Sequence, residues 1–213
     1  MNDSWITTCE MGIDKTFTII TPTMLRPSLI DTCRSIETQA YNRWQHLVAV
    51  DVPLNDTTPE QLQLIDKIRH PKREIFHCEV SHRNYGNTCR WEMFRHVYGD
   101  YLVYLDDDDV YLGEVFQILN REISDEVWGV FPIERFGELF LHLPPRINFT
   151  SGAQFFYKPI YPYPDGSSYA ADGELIEFLR VKHSYLVINS PPLVRVAKQN
   201  FGRYAGQATF SLC

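Results

Sequence analysis

A five-residue apolar stretch, Tyr101 to Leu105, runs without a break into four consecutive aspartates, Asp106 to Asp109. A continuous apolar strand belongs in a sheet covered on both faces, so the carboxylates must emerge at the edge of such a sheet. The residues upstream alternate strand and helix. Phe17-Thr18-Ile19-Ile20 is a short, partly β-branched run ending at Thr21-Pro22, a strand followed by a loop. A helix is predicted from near Pro27, with Leu29, Cys33 and Ile36 along one face. His46 to Asp51 reads as a second buried strand, and Thr58-Pro59-Glu60 as a helix start with Leu62, Ile65 and Ile68 as its apolar stripe. Glu74 to Val80 is a third strand. Residues 87 to 98 read as a helix, with Trp91, Phe94 and Tyr98 on one side and Gly99-Asp100 as the stop. This order predicts an α/β domain with a mainly parallel sheet. Ligands of such sheets bind beyond the carboxyl ends of the strands, where Thr21-Pro22-Thr23, Asp51 and the aspartate run all fall.

The second half changes character. Val127 to Arg135, Leu139 to Leu143, Ala153 to Lys158 and Tyr185 to Asn189 read as strands, separated by Pro-rich segments, with one helix from Asp172 to Leu179. No repeat or low-complexity tract is present. A chain of 213 residues fits one large domain, and 44% apolar content is ordinary for a globular core. The net charge of −7 argues against a general nucleic-acid binder. The N-terminal residues lack a basic start followed by an apolar run, and no stretch approaches the roughly 18 apolar residues of a membrane span. Five cysteines without C-x-x-C spacing read as reduced thiols of a cytoplasmic protein. Asn148-Phe149-Thr150 is formally a glycosylation sequon, without meaning in that compartment.

Four adjacent carboxylates repel one another and are costly to gather without a cation. Many such tracts are simply solvated. At the end of a buried strand, hard oxygen ligands suit Mg²⁺ or Mn²⁺, which binds through one or two carboxylates plus substrate phosphates. An EF-hand is a poor match, because its alternating ligands and closing Glu are absent.

Taken in order, these residues resemble the family-2 glycosyltransferases. The resemblance is carried by Ile19-Ile-Thr-Pro-Thr-Met-Leu-Arg-Pro-Ser-Leu29, Ser35-Ile36 with Gln39 and Tyr41, and Val48-Ala-Val-Asp51. It continues through Asn84-Tyr-Gly86, Arg90, Gly99-Asp-Tyr-Leu102 and Asp106 to Asp109. It covers residues 17 to 110, about half the chain, and implies a single GT-A domain. The sheet would be Rossmann-like and mainly parallel, flanked by helices, with a nucleotide-binding half over 17–110 and a mixed acceptor-binding half over 111–213. It implies transfer of a single sugar from a nucleotide-diphosphate sugar, with UDP as the default base, to a glycan, lipid-linked or other hydroxyl acceptor. Carried over by position, Asp51 contacts the base and Thr21 or Pro22 lines the nucleotide pocket. Asn84 and Arg90 lie on the nucleotide side, Asp106 and Asp107 belong to the ribose and diphosphate region, and Asp108 ligates the metal. Ordinary alternatives stand beside these roles: a strand-ending turn for Thr21 and Pro22, an Asx-turn for Asp51, and turn formers for Asn84 and Gly86. The sequence departs from the family pattern in that Val52 follows Asp51, and the Gln-x-x-Arg-Trp element of processive synthases is absent. Single addition is therefore expected, and oligomeric state is left open.

Inverting transfer needs a carboxylate to take the proton of the acceptor hydroxyl. The family places it in an acidic pair at a late helix start, matched by Ala171-Asp172-Gly173-Glu174, with Ala171 in place of the first acid. Asp172 is the candidate base, against the alternative of a helix N-cap; Glu174 and Glu134 are the other candidates. Thr150-Ser151-Gly152-Ala153 resembles the segment facing the acceptor. Residues 157 to 169 form either an aromatic wall or a rigid surface loop, and His183 and Arg203 are candidates to approach the diphosphate. Two other readings compete. One is a sugar-phosphate nucleotidyltransferase, which lacks its Gly-rich signature here, and the other a non-catalytic nucleotide-sugar or glycan-binding protein of the same fold.

Overall fold

The computed structural model describes residues 14–145, 152–164 and 171–197. Its elements run β1 (Phe17–Thr23), α1 (Leu29–Glu37), β2 (Trp44–Val50), α2 (Pro59–Lys67), β3 (Arg73–His77), α3 (Asn87–Met93), β4 (Tyr101–Tyr104), β5 (Val110–Tyr111), α4 (Val115–Glu122), β6 (Trp128–Val130), β7 (Ile133–Arg135), β8 (Glu138–Phe140), β9 (Phe155–Tyr157), α5 (Ala171–Lys182), β10 (Leu186–Val187) and β11 (Val194–Val196). The main sheet has seven strands in the order β10-β6-β9-β4-β1-β2-β3. β4, β1, β2 and β3 are parallel neighbours, and β9 pairs antiparallel with both β4 and β6. A second sheet, β5-β11-β7-β8, packs beside it.

Both faces of the main sheet are covered, which accounts for the unbroken apolar runs. Phe17 and Ile19 of β1 join Val103, Phe116 and Leu119 on one face, while Ile20 joins Leu47, Leu102, Tyr104 and the α5 residues Leu175, Ile176 and Leu179 on the other. Leu29 and Cys33 of α1 pack with Val48, Val50, Leu64 and Ile65. Each fully buried side chain of this size contributes roughly 1.5–3 kcal/mol. α2 starts where the sequence places it, with Thr58 and Gln61 forming a reciprocal capping box behind Pro59.

Several boundaries differ from the sequence expectation. The predicted strand 127–135 is two strands, because Phe131 and Pro132 pass the chain from the main sheet to the second one. Pro132 has no N–H to continue a ladder, and the Phe131 N–H turns to Gln154 O at 3.0 Å. The predicted helix 87–98 is α3 followed by a 3₁₀ turn at Phe94–His96. β3 ends at His77, three residues early, where the chain leaves the ladder to wrap the end of β2. The strand expected at 153–158 begins with a 3₁₀ turn over Gly152–Gln154, the segment 185–189 keeps only Leu186–Val187 in the sheet, and the strand expected at 139–143 is β8. β5, α4 and β11 were not foreseen. β7 and β8 join through Phe136 (φ 57°) and Gly137 (φ 84°), the left-handed pair that suits a two-residue hairpin.

Among the described residues, no helix is long and apolar enough to cross a membrane. The sequon at 148–150, Thr150, Ser151, residues 165–169, Arg203, Cys9 and Cys213 lie outside the described residues.

Candidate functional site

The carboxyl ends of β1, β2 and β4 meet at one edge of the main sheet, and β4 delivers the aspartates there. The turn after it divides the four carboxylates among Arg26, Arg90 and the backbone at Ala197. Asp107 is buried and accepts from Thr23 Oγ1 at 2.6 Å, from Arg26 Nε at 3.2 Å and from Arg26 Nη2. Arg26 Nη1 donates to Asp108 Oδ2 at 3.1 Å. The fork of a guanidinium suits such paired contacts, and the Asp107 bond holds Arg26 above its ordinary pKa. Asp109 turns inward and accepts the Ala197 N–H at 3.0 Å. Burial, with repulsion from Asp106, pushes its carboxyl well above the usual carboxylate range. Asp106, with 40% of its side chain exposed, pairs with Arg90.

Helix α1 and the residues just past its end clamp this segment from one side. Thr32 Oγ1 donates to Asp109 O at 2.8 Å, Ser35 Oγ accepts the Tyr111 N–H at 3.1 Å, and Gln39 bonds both Val115 N (2.8 Å) and Gly113 O (2.8 Å). Thus Ser35 and Gln39, two of the residues that carry the sequence resemblance, hold the backbone after the aspartates.

At the end of β1, Thr21 is fully buried, and its Oγ1 lies 3.0 Å from His46 Nε2. Arg73 Nε donates to His46 Nδ1 at 2.7 Å. Because Arg can only donate, the His46 proton sits on Nε2 and Thr21 Oγ1 accepts it. The Thr21 hydroxyl is thereby engaged inside the sheet. Pro22 faces Gly86, where a Cβ would stand 2.4 Å from the Pro22 Cβ. Gly86 also has φ +75°, so both its conformation and its contact exclude a side chain.

Asp51 is buried beyond β2. Its two oxygens accept the N–H groups of His82 (2.6 Å) and Arg83 (2.9 Å), so it organises the loop after β3. That loop holds left-handed residues at Arg83 (φ 51°), Tyr85 (φ 62°) and Gly86, a conformation that costs energy at non-glycine positions and clusters at ligand clamps. Asn84 closes it, its Nδ2 donating to Thr88 Oγ1 at 2.6 Å.

Arg90, projecting from α3, is the hub. Its side chain is 4% exposed, and Nη1 donates to Tyr85 O at 2.9 Å. Tyr104 and Tyr163 each stack a ring 5.7 Å from its guanidinium, while its Nε is buried without a hydrogen-bond partner. Burial alone would depress its pKa, but Asp106, with Tyr163 and Asp172, holds it above the ordinary value. Tyr163 OH donates toward Asp172 and lies 3.2 Å from Asn87 Oδ1. Asp172, in the first turn of α5, also accepts the Gly152 N–H. A Cβ on Gly152 would lie 2.8 Å from Asp172 Oδ2, so the glycine leaves room for this carboxylate. Burial raises the Asp172 carboxyl above its ordinary range. Arg90 and the Tyr163 bond oppose that shift, and Asp106 adds to it.

The structure therefore brings Asp106, Arg90 and Asp172 into one charged cluster, with Asp107 and Asp108 beside it on Arg26. Asp51 and Asn84 shape the adjoining loop, and Pro22 packs on that loop through Gly86. Arg26, Asn87 and Tyr163 were not read as site residues from sequence. For Arg26 the signal was its place in the Arg26-Pro27 pair, whereas nothing local marks Tyr163 apart from the other tyrosines of its segment. Glu134 pairs with Arg195 at 2.7 Å, which holds its carboxyl below the usual range and makes it a poorer base. Glu174 is exposed on α5. His183 faces Tyr161 OH at 3.2 Å. A cleft of about 330 Å³ opens beside Asp108, lined among others by Glu134, Phe136, Arg195 and Ala197. Another, of about 390 Å³, lies at the amino end of β3 around Arg69 and His70, the opposite end of the sheet. The Asp106–Asp108 segment offers hard oxygen donors, and the guanidinium lying on Asp107 and Asp108 shows that these positions accommodate positive charge. Both facts fit Mg²⁺ or Mn²⁺.

The sequence model of Glycosyl transferase family 2 matches residues 18–170. No curated protein sequence matches significantly. Among solved structures, S. aureus TarS 1-349 superposes with a TM-score of 0.68 at 12% identity, over 84% of this chain and 60% of that one. The same protein in complex with UDP-GlcNAc gives 0.65 at 12% identity, over 86% and 59%. The mannosyltransferase PcManGT from Pyrobaculum calidifontis, in complex with GDP-Man and Mn²⁺, gives 0.61 at 17% identity, over 88% and 58%. The chain spans 60% or less of the length of these three structures, and at such identities the likeness is one of fold.

Proposed function

Because the chain belongs to Glycosyl transferase family 2, we propose that it moves a single sugar from a nucleotide-diphosphate sugar to an acceptor hydroxyl, with inversion at the anomeric carbon. The observation that carries this reading is the cluster at Arg90. A single buried guanidinium joins Asp106, from the half that ends at the aspartates, to the surroundings of Asp172 in the other half. The strand order β3-β2-β1-β4 is read as the Rossmann-like nucleotide-binding part, residues 17–110, and residues 111–213 as the acceptor-binding part of one domain. Asp51 and Asn84, with Pro22 and the backbone at Thr21, form the base side of the pocket. Asp106, Asp107 and Arg90 face the ribose and diphosphate. Asp108 would hold a divalent ion, Mn²⁺ or Mg²⁺, which would supply charge neutralisation for the departing diphosphate.

Asp172 is the general base. Its raised basicity suits removal of the acceptor hydroxyl proton as the oxygen bonds to the anomeric carbon and the nucleotide diphosphate leaves with the bonding electron pair. Tyr163 and Gly152 orient the carboxylate. The cleft beside Asp108 is the acceptor groove, with the exposed Phe136 ring as an apolar wall for a glycan or lipid-linked hydroxyl. The solved structures named above hold both UDP- and GDP-sugars, so UDP remains the default from family frequency alone.

Calorimetric titration with a panel of nucleoside diphosphates and nucleotide sugars, with and without Mn²⁺, tests the assignment. Metal-dependent binding of one nucleotide that disappears in Asp108→Asn is the expected result. Absence of nucleotide binding under every metal condition would overturn it. Donor binding without turnover, unchanged in Asp172→Asn, would instead favour a nucleotide-sugar-binding protein of the same fold.

A further inference from the structure

A second group of ligand-type side chains lies between β2 and α3, apart from the aspartate run. One ligand atom each from Asp51, Cys78 and His82 lies within 4.8 Å of the other two. The Cys89 Sγ is 3.3 Å from the Cys78 Sγ, and both thiols are free and buried. His82 Nε2 is buried with no hydrogen-bond partner, and its nearest charged neighbour, Glu92 Oε1, stands 3.6 Å away. Each Asp51 oxygen accepts one backbone N–H and keeps a further lone-pair direction. A carboxylate, an imidazole and two thiols on a Cys-x3-His-x6-Cys spacing form a donor set of mixed softness. The aspartate run has no such donors.

We propose that Asp51, Cys78 and His82 bind one thiophilic divalent cation, Zn²⁺, with Cys89 as the fourth ligand after a side-chain adjustment. Zinc takes tetrahedral sulfur, nitrogen and oxygen ligands of this kind, whereas Mg²⁺ and Mn²⁺ prefer all-oxygen shells. Glu92 Oε1, 3.6 Å from the same Nε2, adds negative charge beside the site. Binding converts each participating thiol to a thiolate and releases one proton to solvent, so affinity rises with pH. The ion ties the carboxyl end of β2 to the loop after β3 and to α3. Asp51 would then serve the base side of the nucleotide pocket by holding the loop after β3 and not by touching the base.

The test is titration of the full chain, kept reduced, with Zn²⁺ alone, by calorimetry in two buffers of different protonation enthalpy. Co²⁺ absorption serves as the second readout. The expected result is one site, a thiolate-to-cobalt charge-transfer band, and release of one proton, or two if Cys89 also ligates. Affinity should fall at least about 100-fold in Cys78→Ser and in His82→Ala, and stay unchanged in Asp108→Asn. His82 is partly exposed, so its variant provides a folded control if Cys78→Ser destabilises the core, with far-UV circular dichroism as the check. Absence of Zn²⁺ binding, binding unaffected by both ligand variants, or binding lost in Asp108→Asn would each overturn the proposal. Failure of nucleotide binding leaves it standing, which separates the two readings.

Discussion

Arg26 neutralises Asp107 and Asp108 together, so in the metal-free chain it stands where a divalent ion would be wanted. Replacing it with Ala strips a buried carboxylate of its cation. The metal-free protein should lose about 1–2 kcal/mol, a figure reduced from that of a buried pair because the Arg26 side chain is 43% exposed. Removing the competing guanidinium should also tighten Mn²⁺, by roughly 10-fold, so added metal should restore the melting temperature of Arg26→Ala further than that of the wild type. Equal metal affinity in both proteins would show that Arg26 does not compete. Asp172 gives a second test. Its carboxyl titrates above the ordinary 3.8, so transfer should rise with pH through an inflection above that value. Asp172→Asn should remove the inflection and slow transfer by at least about 100-fold, with nucleotide binding retained. The aspartates could be read from sequence because their charge and position after a buried strand are local facts. The pairing of Asp107 with Arg26 could not, since it joins residues 81 positions apart through a particular rotamer.

At the scale of elements, α1 together with Gln39 just past its end works as a brace for the turn that carries the carboxylates. Gln39→Ala removes its bonds to Val115 N and Gly113 O, leaves two backbone groups without these partners, and should lower stability by about 1–2 kcal/mol. If Gln39 positions the site, nucleotide affinity in the presence of Mn²⁺ should fall as well; an affinity unchanged beside a lowered melting temperature would make it structural only. The long buried strands β1, β2 and β4 and the capped helix α2 could be read because each declares itself by apolar continuity or by a cap. The two- and three-residue strands β5 and β11 could not. Such short segments carry no period of their own and are strands only because a neighbour offers hydrogen bonds. The break at Phe131-Pro132 was signalled by its proline, yet which sheet received the chain afterwards depended on β11, far along the sequence.

For the whole molecule, the chain from Arg73 through His46 to Thr21 spans three adjacent strands and makes stability depend on pH. Burial, with Arg73 beside it, holds the His46 imidazole well below its ordinary 6.5. The unfolded chain therefore binds the extra proton first, and stability present above pH 6.5 is lost as pH falls from there toward the depressed folded value. His46→Gln should flatten the dependence of the denaturation midpoint on pH below 6.5, whatever its effect at neutral pH; an unchanged slope would assign the acid sensitivity to other groups. The seating of β9 between β4 and β6 bears on how the molecule is made. The strand that presents the aspartates has an unpaired edge until Phe155–Tyr157 arrives to fill it, after β6, β7 and β8 have been synthesised. Such non-local closure slows folding, and a waiting edge is a template for another chain. A nascent chain halted short of β9 would be prone to aggregate through the same strand that later carries the site.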